Sequence, residues 1–216
     1  MPAQIQQLCH YPIKVLSAQI LPEVTLTAGR GFPLDRAFGF GRHNSGFDPN
    51  APRPLPKSRF VVLARDAALA TLDTHFDCET NILTVRHGGE TNTFDITDGI
   101  AHDVLVRFLA DHVGLATDEL PQLHSAEPHR FTDVSVVSPE MMNAVSLVNI
   151  DSVRAFSKDL GQDISPARFR GNILFSEMSA WSELDLIGKT LRIGDVSLKV
   201  VQRTRRCPAT EVNLDT

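Results

Sequence analysis

The stretch Val196-Ser197-Leu198-Lys199-Val200-Val201-Gln202-Arg203-Thr204-Arg205-Arg206-Cys207-Pro208-Ala209-Thr210 carries both the pattern that decides the fold class and one chemically distinctive residue. Val196, Leu198 and Val200 alternate with Ser197 and Lys199, the two-residue period of a half-buried strand. If it continues, Arg203, Arg205 and Cys207 lie on the face opposite Val196, Leu198 and Val200. Pro208 has no N–H for a ladder, so the thiol is expected at a strand end. A thiol beside fixed guanidinium charges is favoured as thiolate, the form that attacks electrophiles and binds soft metals. The plain alternative is a small buried apolar residue next to a solvated, Arg-rich strand edge.

Working outward, Gly194-Asp195 joins this strand to Thr190–Ile193 as a hairpin, and Gly88-Gly89 joins 81–85 to 91–96 in the same way. Further strands are expected at 5–13, 21–26, 34–40, 58–64, 134–137 and 170–176, with a turn at Gly29-Arg30-Gly31. Helices are expected at 65–72, after an Asp98 cap, and at 149–160 before Gly161. The Asp98-capped helix has Ile100, Val104, Leu105, Phe108 and Leu109 as its apolar stripe and Gly114 just past its end. The loop 44–57 carries Pro49, Pro52, Pro54 and Pro56 and cannot enter a central strand. Many short strands and few helices predict a mainly β protein of barrel type. The polar, Pro-punctuated segment 116–130 reads as a connector, dividing the chain near residue 120 into 1–120 and 121–216.

The 216 residues, 42% hydrophobic and 22% charged, are ordinary globular composition. A net charge of −5 argues against general nucleic-acid binding, although the basic cluster around Arg205 can hold a small anion. No apolar run reaches membrane-spanning length, and Met1-Pro2-Ala3-Gln4 has no signal-peptide pattern. Cys9, Cys78 and Cys207 are widely spaced and odd in number, which fits free thiols in a reducing compartment and points to the cytoplasm. GxGxxG, Walker, HExxH and GxSxG motifs are all missing, and the eight histidines show no zinc spacing. His124 and His129 read as surface residues, and Asp133 and Glu140 as turn or cap residues.

The first half of the chain carries the short motifs Tyr11-Pro12-Ile13-Lys14, Leu34-Asp35-Arg36 and Pro56-Lys57-Ser58-Arg59-Phe60. The second half carries His129-Arg130-Phe131-Thr132-Asp133, Ser146-Leu147-Val148-Asn149, Arg168-Phe169-Arg170-Gly171-Asn172-Ile173, Trp181-Ser182-Glu183 and Arg205-Arg206-Cys207-Pro208-Ala209-Thr210. In this order and spacing the motifs resemble MOSC-domain proteins that carry an N-terminal β-barrel domain, a group related to the C-terminal part of molybdenum-cofactor sulfurases. The resemblance implies an N-terminal barrel-like domain at 1–120 and a MOSC barrel at 121–216. Relatives carry further strands beyond this point, so the second barrel is expected to be short of its C-terminal strands.

The resemblance also implies a molybdenum cofactor (molybdopterin), with Cys207 as catalytic residue and metal ligand. It gives Lys14, Arg36, Ser146, Arg170, Asn172, Arg205, Arg206 and Thr210 as cofactor-binding positions; pyridoxal phosphate binding is a further family-level association. The implied activity is reduction of N-hydroxylated small molecules, fed by a separate ferredoxin- or flavin-type electron donor, with no nucleic-acid or membrane partner. The alternatives are a cofactor carrier or sulfur-transfer protein that uses Cys207 without redox turnover, and an interaction module that has lost the cofactor.

Overall fold

A computed structural model describes residues 2–213. In chain order its elements are β1 (Gln4–His10), β2 (Gln19–Leu21), β3 (Phe38–Gly41), β4 (Asp73–Asp77), β5 (Ile82–His87), β6 (Glu90–Asp95), α1 (Gly99–Val113), β7 (Gln122–Ser125), α2 (Pro139–Met142), β8 (Leu147–Asn149), α3 (Ile150–Leu160), β9 (Ile173–Ser176), β10 (Thr190–Ile193) and β11 (Val196–Lys199). The described residues are therefore mainly β with three α-helices, as the short alternating stretches predict. The described strands make four separate sheets that are not closed into a barrel: β2-β1-β9-β8, β3-β7, β4-β5-β6 and β10-β11.

The four-stranded sheet draws on both ends of the chain. β1 lies antiparallel to β2 on one side and to β9 on the other, with Ile5 opposite Phe175 and Leu8 opposite Ile173. β8 runs parallel to β9, and α3 makes the crossover a parallel pair requires. Asn149 starts that helix by accepting from the Asp151 N–H, and Gly161 ends it in the left-handed conformation. α1 is bounded as expected, with Asp98 accepting from Ala101 N–H and Gly114 left-handed at its end. Its stripe is only half buried: Leu105 and Leu109 enter the core, whereas Ile100 is 79% exposed.

The larger core gathers Ile13, Phe40, Phe60, Leu69, Leu83, Leu105 and Phe131; a smaller one holds Cys9, Tyr11, Val148, Val153 and Leu174. Phe47, Phe131, His124 and His129 form an aromatic knot within 5.0–5.3 Å of one another through Phe47. Both histidines are thus buried, contrary to the surface reading, and burial pushes their ring nitrogens below the ordinary histidine range.

Several expected elements differ. The strand at 21–26 stops at Leu21, because Pro22 cannot extend the ladder. The strand at 34–40 starts only at Phe38, since Leu34 and Arg36 take positive φ (60° and 49°) in a turn. Residues 58–64 form no strand: Phe60 bridges Gly41 alone, and Phe60-Val61-Val62-Leu63 is buried as a continuous apolar run. The helix at 65–72 is a 3-10 turn, Ala67–Thr71. Residues 134–137 are a turn, while the supposed connector contains β7, paired with β3, and β4 was not expected. β11 ends at Lys199, so Cys207 does not stand at a strand end; it begins the 3-10 turn Pro208–Glu211.

Candidate functional site

The segment after β1 is buried from Tyr11 to Leu16 and is zipped to residues 35–38. Arg36 N–H donates to the Tyr11 carbonyl at 2.7 Å, Phe38 N–H to Pro12 at 3.1 Å and Lys14 N–H to Phe38 at 2.8 Å. Asp35 completes the join, its Oδ1 accepting from Tyr11 N–H at 2.9 Å and its Oδ2 pairing with Arg36 Nη1 at 2.5 Å. This lattice holds Lys14 and Arg36 side by side although they lie on different segments.

Arg170 reaches the same place from the other half of the chain. It caps the 3-10 turn Pro166–Phe169 in the left-handed conformation with φ 49°, as does Arg36. Left-handed backbone in a non-glycine residue is a strained choice that marks a position fixed by its surroundings. The Arg170 guanidinium donates to the Leu16 carbonyl at 2.8 Å, and its own carbonyl accepts from Arg36 Nη2 at 3.1 Å. Both guanidiniums lie over one ring: Arg36 at 4.4 Å and Arg170 at 4.2 Å from the Tyr11 centroid. A π face attracts a cation, and more strongly when water is excluded.

Electrostatically the cluster is a set of crowded cations. Burial, and then the Arg36 charge, pull the Arg170 guanidinium down to about 10. Burial likewise lowers the Lys14 ammonium, partly offset by its ion pair with Asp133. Lys14 also donates to the Phe131 carbonyl at 2.9 Å, and Lys57 stands 3.9 Å from the other Asp133 oxygen. Among the described residues Arg170 has no ion pair of its own. Such a cluster is suited to an incoming anion.

The remaining expected positions are placed differently. Ser146 and Asn172 spend their polar atoms on each other: Ser146 Oγ donates to Asn172 Oδ1 at 2.8 Å, and Asn172 Nδ2 donates to the Cys9 carbonyl at 3.2 Å. Thr210 Oγ1 donates to the Cys207 carbonyl at 3.0 Å. Arg205 is exposed, and Arg206 lies 4.9 Å over the Phe169 ring with Nη1 on the Phe169 carbonyl. Arg203 turns away to the Leu184 carbonyl and does not join the arginine face expected around the thiol. Cys207 itself is half-buried. Its turn lies against Pro166–Phe169, next to Arg170, and Ala209 packs on the core that contains Ile13 and Val15.

Residues 112–216 match the family model of the MOSC domain. This part of the chain is similar to the MOSC domain, a family associated with molybdenum cofactor binding. No curated protein matches the chain. The MOSC domain supplies Asp133, Arg170 and Cys207, whereas Tyr11, Lys14, Arg36 and Lys57 come from the residues before it. The cation cluster therefore straddles the start of the MOSC domain, just as β1 sits inside its sheet.

The residues present fit such a cofactor in part. Lys14, Arg36 and Arg170 suit a phosphate, since guanidinium forks match its oxygens and an ammonium acts as a point charge. Among the described residues no group of three or more His, Cys, Asp or Glu could hold a metal ion, so a metal on Cys207 would need its other donors from the cofactor. The Ser146, Asn172 and Thr210 side chains are engaged within the chain and fit a direct donor role less well. Tyr11, Asp35, Lys57 and Asp133 were not among the expected site residues. Each lies inside a quoted motif, and that membership is the signal the sequence offers. Among the described residues no helix is long and apolar enough to cross a membrane.

Proposed function

We propose that this chain binds a molybdenum cofactor and reduces N-hydroxylated small molecules, with Cys207 as the metal's protein ligand. The observation that carries the reading is the convergence of Arg36 and Arg170 on Tyr11 from both halves of the chain, with the buried Lys14 ammonium close enough to feel both charges. In this reading the three cations hold the cofactor's phosphate, Lys57 adds to the field, and Arg205 and Arg206 flank the thiol. Ser146, Asn172 and Thr210 shape the backbone around it. The bound cofactor would supply two-electron oxygen-atom chemistry. The chain's own residues bind it, orient it and fix its charge: Tyr11 holds the two guanidiniums, and Asp35 and Asp133 keep the cations from repelling one another apart.

The same proposal includes a separate ferredoxin- or flavin-type electron donor, a cytoplasmic setting, and the division of the chain near residue 120. A carrier or sulfur-transfer role is favoured by one observation, the exposed run of residues 201–206 leading to Cys207. There the thiol would carry a persulfide without molybdenum.

The test is molybdenum analysis of wild type, Cys207→Ser and Arg170→Met, made in a host that synthesises the cofactor, followed by amidoxime or hydroxylamine reduction with a competent donor. Stoichiometric metal in wild type, lost in both variants, and turnover of the substrate are expected. Metal retained in full by both variants would sink the assignment of these residues. No metal in wild type together with a Cys207 persulfide would replace the reductase with the carrier.

A further inference from the structure

A second cluster of metal-ligating side chains lies at the junction of β5, α1 and the Ala67–Thr71 turn, with no member in the cation site. His87 ends β5 and His112 lies in the last turn of α1. Their ring centroids are 4.7 Å apart and nearly perpendicular. His87 Nδ1 stands 3.4 Å from Thr71 Oγ1, and His112 Nε2 stands 3.1 Å from the same oxygen. Two carbonyls are equally near: Thr71 O is 3.3 Å from His87 Nδ1, and Ala68 O is 2.9 Å from His112 Nε2. Two ring nitrogens from separate elements thus face one small volume lined with oxygens.

We propose that His87 and His112 form a surface chelate for a borderline divalent metal ion, with Zn2+ as its reference ion. Imidazole nitrogen suits Zn2+, Ni2+ and Cu2+, and zinc takes nitrogen donors at about 2.0–2.1 Å with water completing its shell. The Phe108 ring stacks parallel on His112, 6.3 Å away and within 9° of coplanar, which limits the imidazole's rotation. His87 and Thr71 are exposed and His112 is half-exposed, so an ion has a path in. Glu90 is the cross-strand partner of His87 across the Gly88-Gly89 turn, on the same face of the ribbon, and offers a carboxylate within side-chain reach. As it stands the site presents two imidazoles. A bound ion would tie β5 to α1 and add stability to the folded state alone.

The test is calorimetric titration of the full chain with Zn2+ in chelator-stripped, phosphate-free buffer, in wild type and in a Cys78→Ser/Cys207→Ser background that removes the exposed and half-buried thiols. In that background His87→Ala and His112→Ala are compared, with the thermal midpoint with and without Zn2+ as second readout. Expected is one Zn2+ per chain that survives thiol removal. Either histidine change should then weaken it by at least about tenfold, a loss that removal of an outer-shell partner alone can reach. The midpoint should rise with Zn2+ only while both histidines are present. Absence of binding, binding indifferent to both histidines, or binding that disappears with the thiols each overturns the proposal.

Discussion

The guanidinium of Arg170 stands 4.2 Å from the centroid of the Tyr11 ring, and Arg36 shares that ring at 4.4 Å. One buried aromatic residue therefore keeps two like charges together. Tyr11→Phe preserves the ring and gives up only a long 3.5 Å contact from the hydroxyl to the Gly171 carbonyl, so its cost should stay below about 1 kcal/mol. Tyr11→Leu removes the π faces as well as core volume and should cost about 2–4 kcal/mol. Urea unfolding of the two variants checks this. Equal stability of Phe and Leu at position 11 would mean that the ring does not hold the cations.

Lys14 is buried, and its counter-charge on Asp133 is 46% exposed. Asp133→Asn leaves the ammonium with the Phe131 carbonyl but without a paired carboxylate. The expected loss is about 1–3 kcal/mol at neutral pH, below the ~3–5 of a fully buried pair because solvent screens Asp133. Burial raises the Asp133 carboxyl, but the Lys14 charge and hydrogen bond, with Lys57 and Arg36, outweigh it and hold the group below the usual carboxylate range. A depressed folded value gives stability that is complete above the unfolded carboxylate range and fades as pH falls through the folded value. The gap between wild type and Asp133→Asn should thus be constant from pH 7 to about pH 5 and close below about pH 4. Unfolding midpoints measured across that range decide it; a gap that persists in acid would exclude the ion pair as its source.

Capped helices and glycine hairpins were legible because their signals are local: Asp98 and Gly114 bound α1, Asn149 and Gly161 bound α3, and Gly88-Gly89 turns β5 into β6. Elements that depend on distant partners were not. Phe60-Val61-Val62-Leu63 looks like a strand by composition, yet it is buried all round without a ladder, which a period cannot distinguish. β7 is polar enough to pass for linker and is a strand because β3 lies beside it. The cations of the candidate site came from motif resemblance, and their organiser did not: Tyr11 meets Arg170 only after β1 pairs with β9. Asp133 reads as a turn residue until Lys14 is brought to it.

Asn172 is 2% exposed and closes the ends of β1, β8 and β9 against one another. Its Oδ1 accepts from both Ser146 N–H, at 3.1 Å, and Ser146 Oγ, while its Nδ2 serves the Cys9 carbonyl. Asn172→Ala strands a backbone donor and a backbone acceptor and should cost about 2–4 kcal/mol. Ser146→Ala loses the hydroxyl's bond to Asn172 Oδ1 and its bond from the Asn172 N–H, but that N–H keeps the Ser146 carbonyl, so the cost should be about 1 kcal/mol. The residues share one network, so the double variant should be close to Asn172→Ala alone. A double-mutant cycle followed by urea unfolding reads this network, and additive losses would show that the two act separately.

Gly171 separates Arg170 from Asn172, and a methyl group there would stand 2.5 Å from Val148 Cγ2 and 3.3 Å from its Cβ. Val148 is buried in the smaller core, so it has little room to give. Gly171→Ala should therefore cost about 1–3 kcal/mol by overpacking. It should also shift both neighbours and, on the proposed cofactor reading, lower molybdenum loading beyond what the stability loss explains. Trimming the obstacle offers the check: Gly171→Ala combined with Val148→Ala should be more stable than the sum of the two single losses, because the new methyl fills space the valine vacates. If the two losses simply add, the close approach of residue 171 to Val148 is not what demands glycine there.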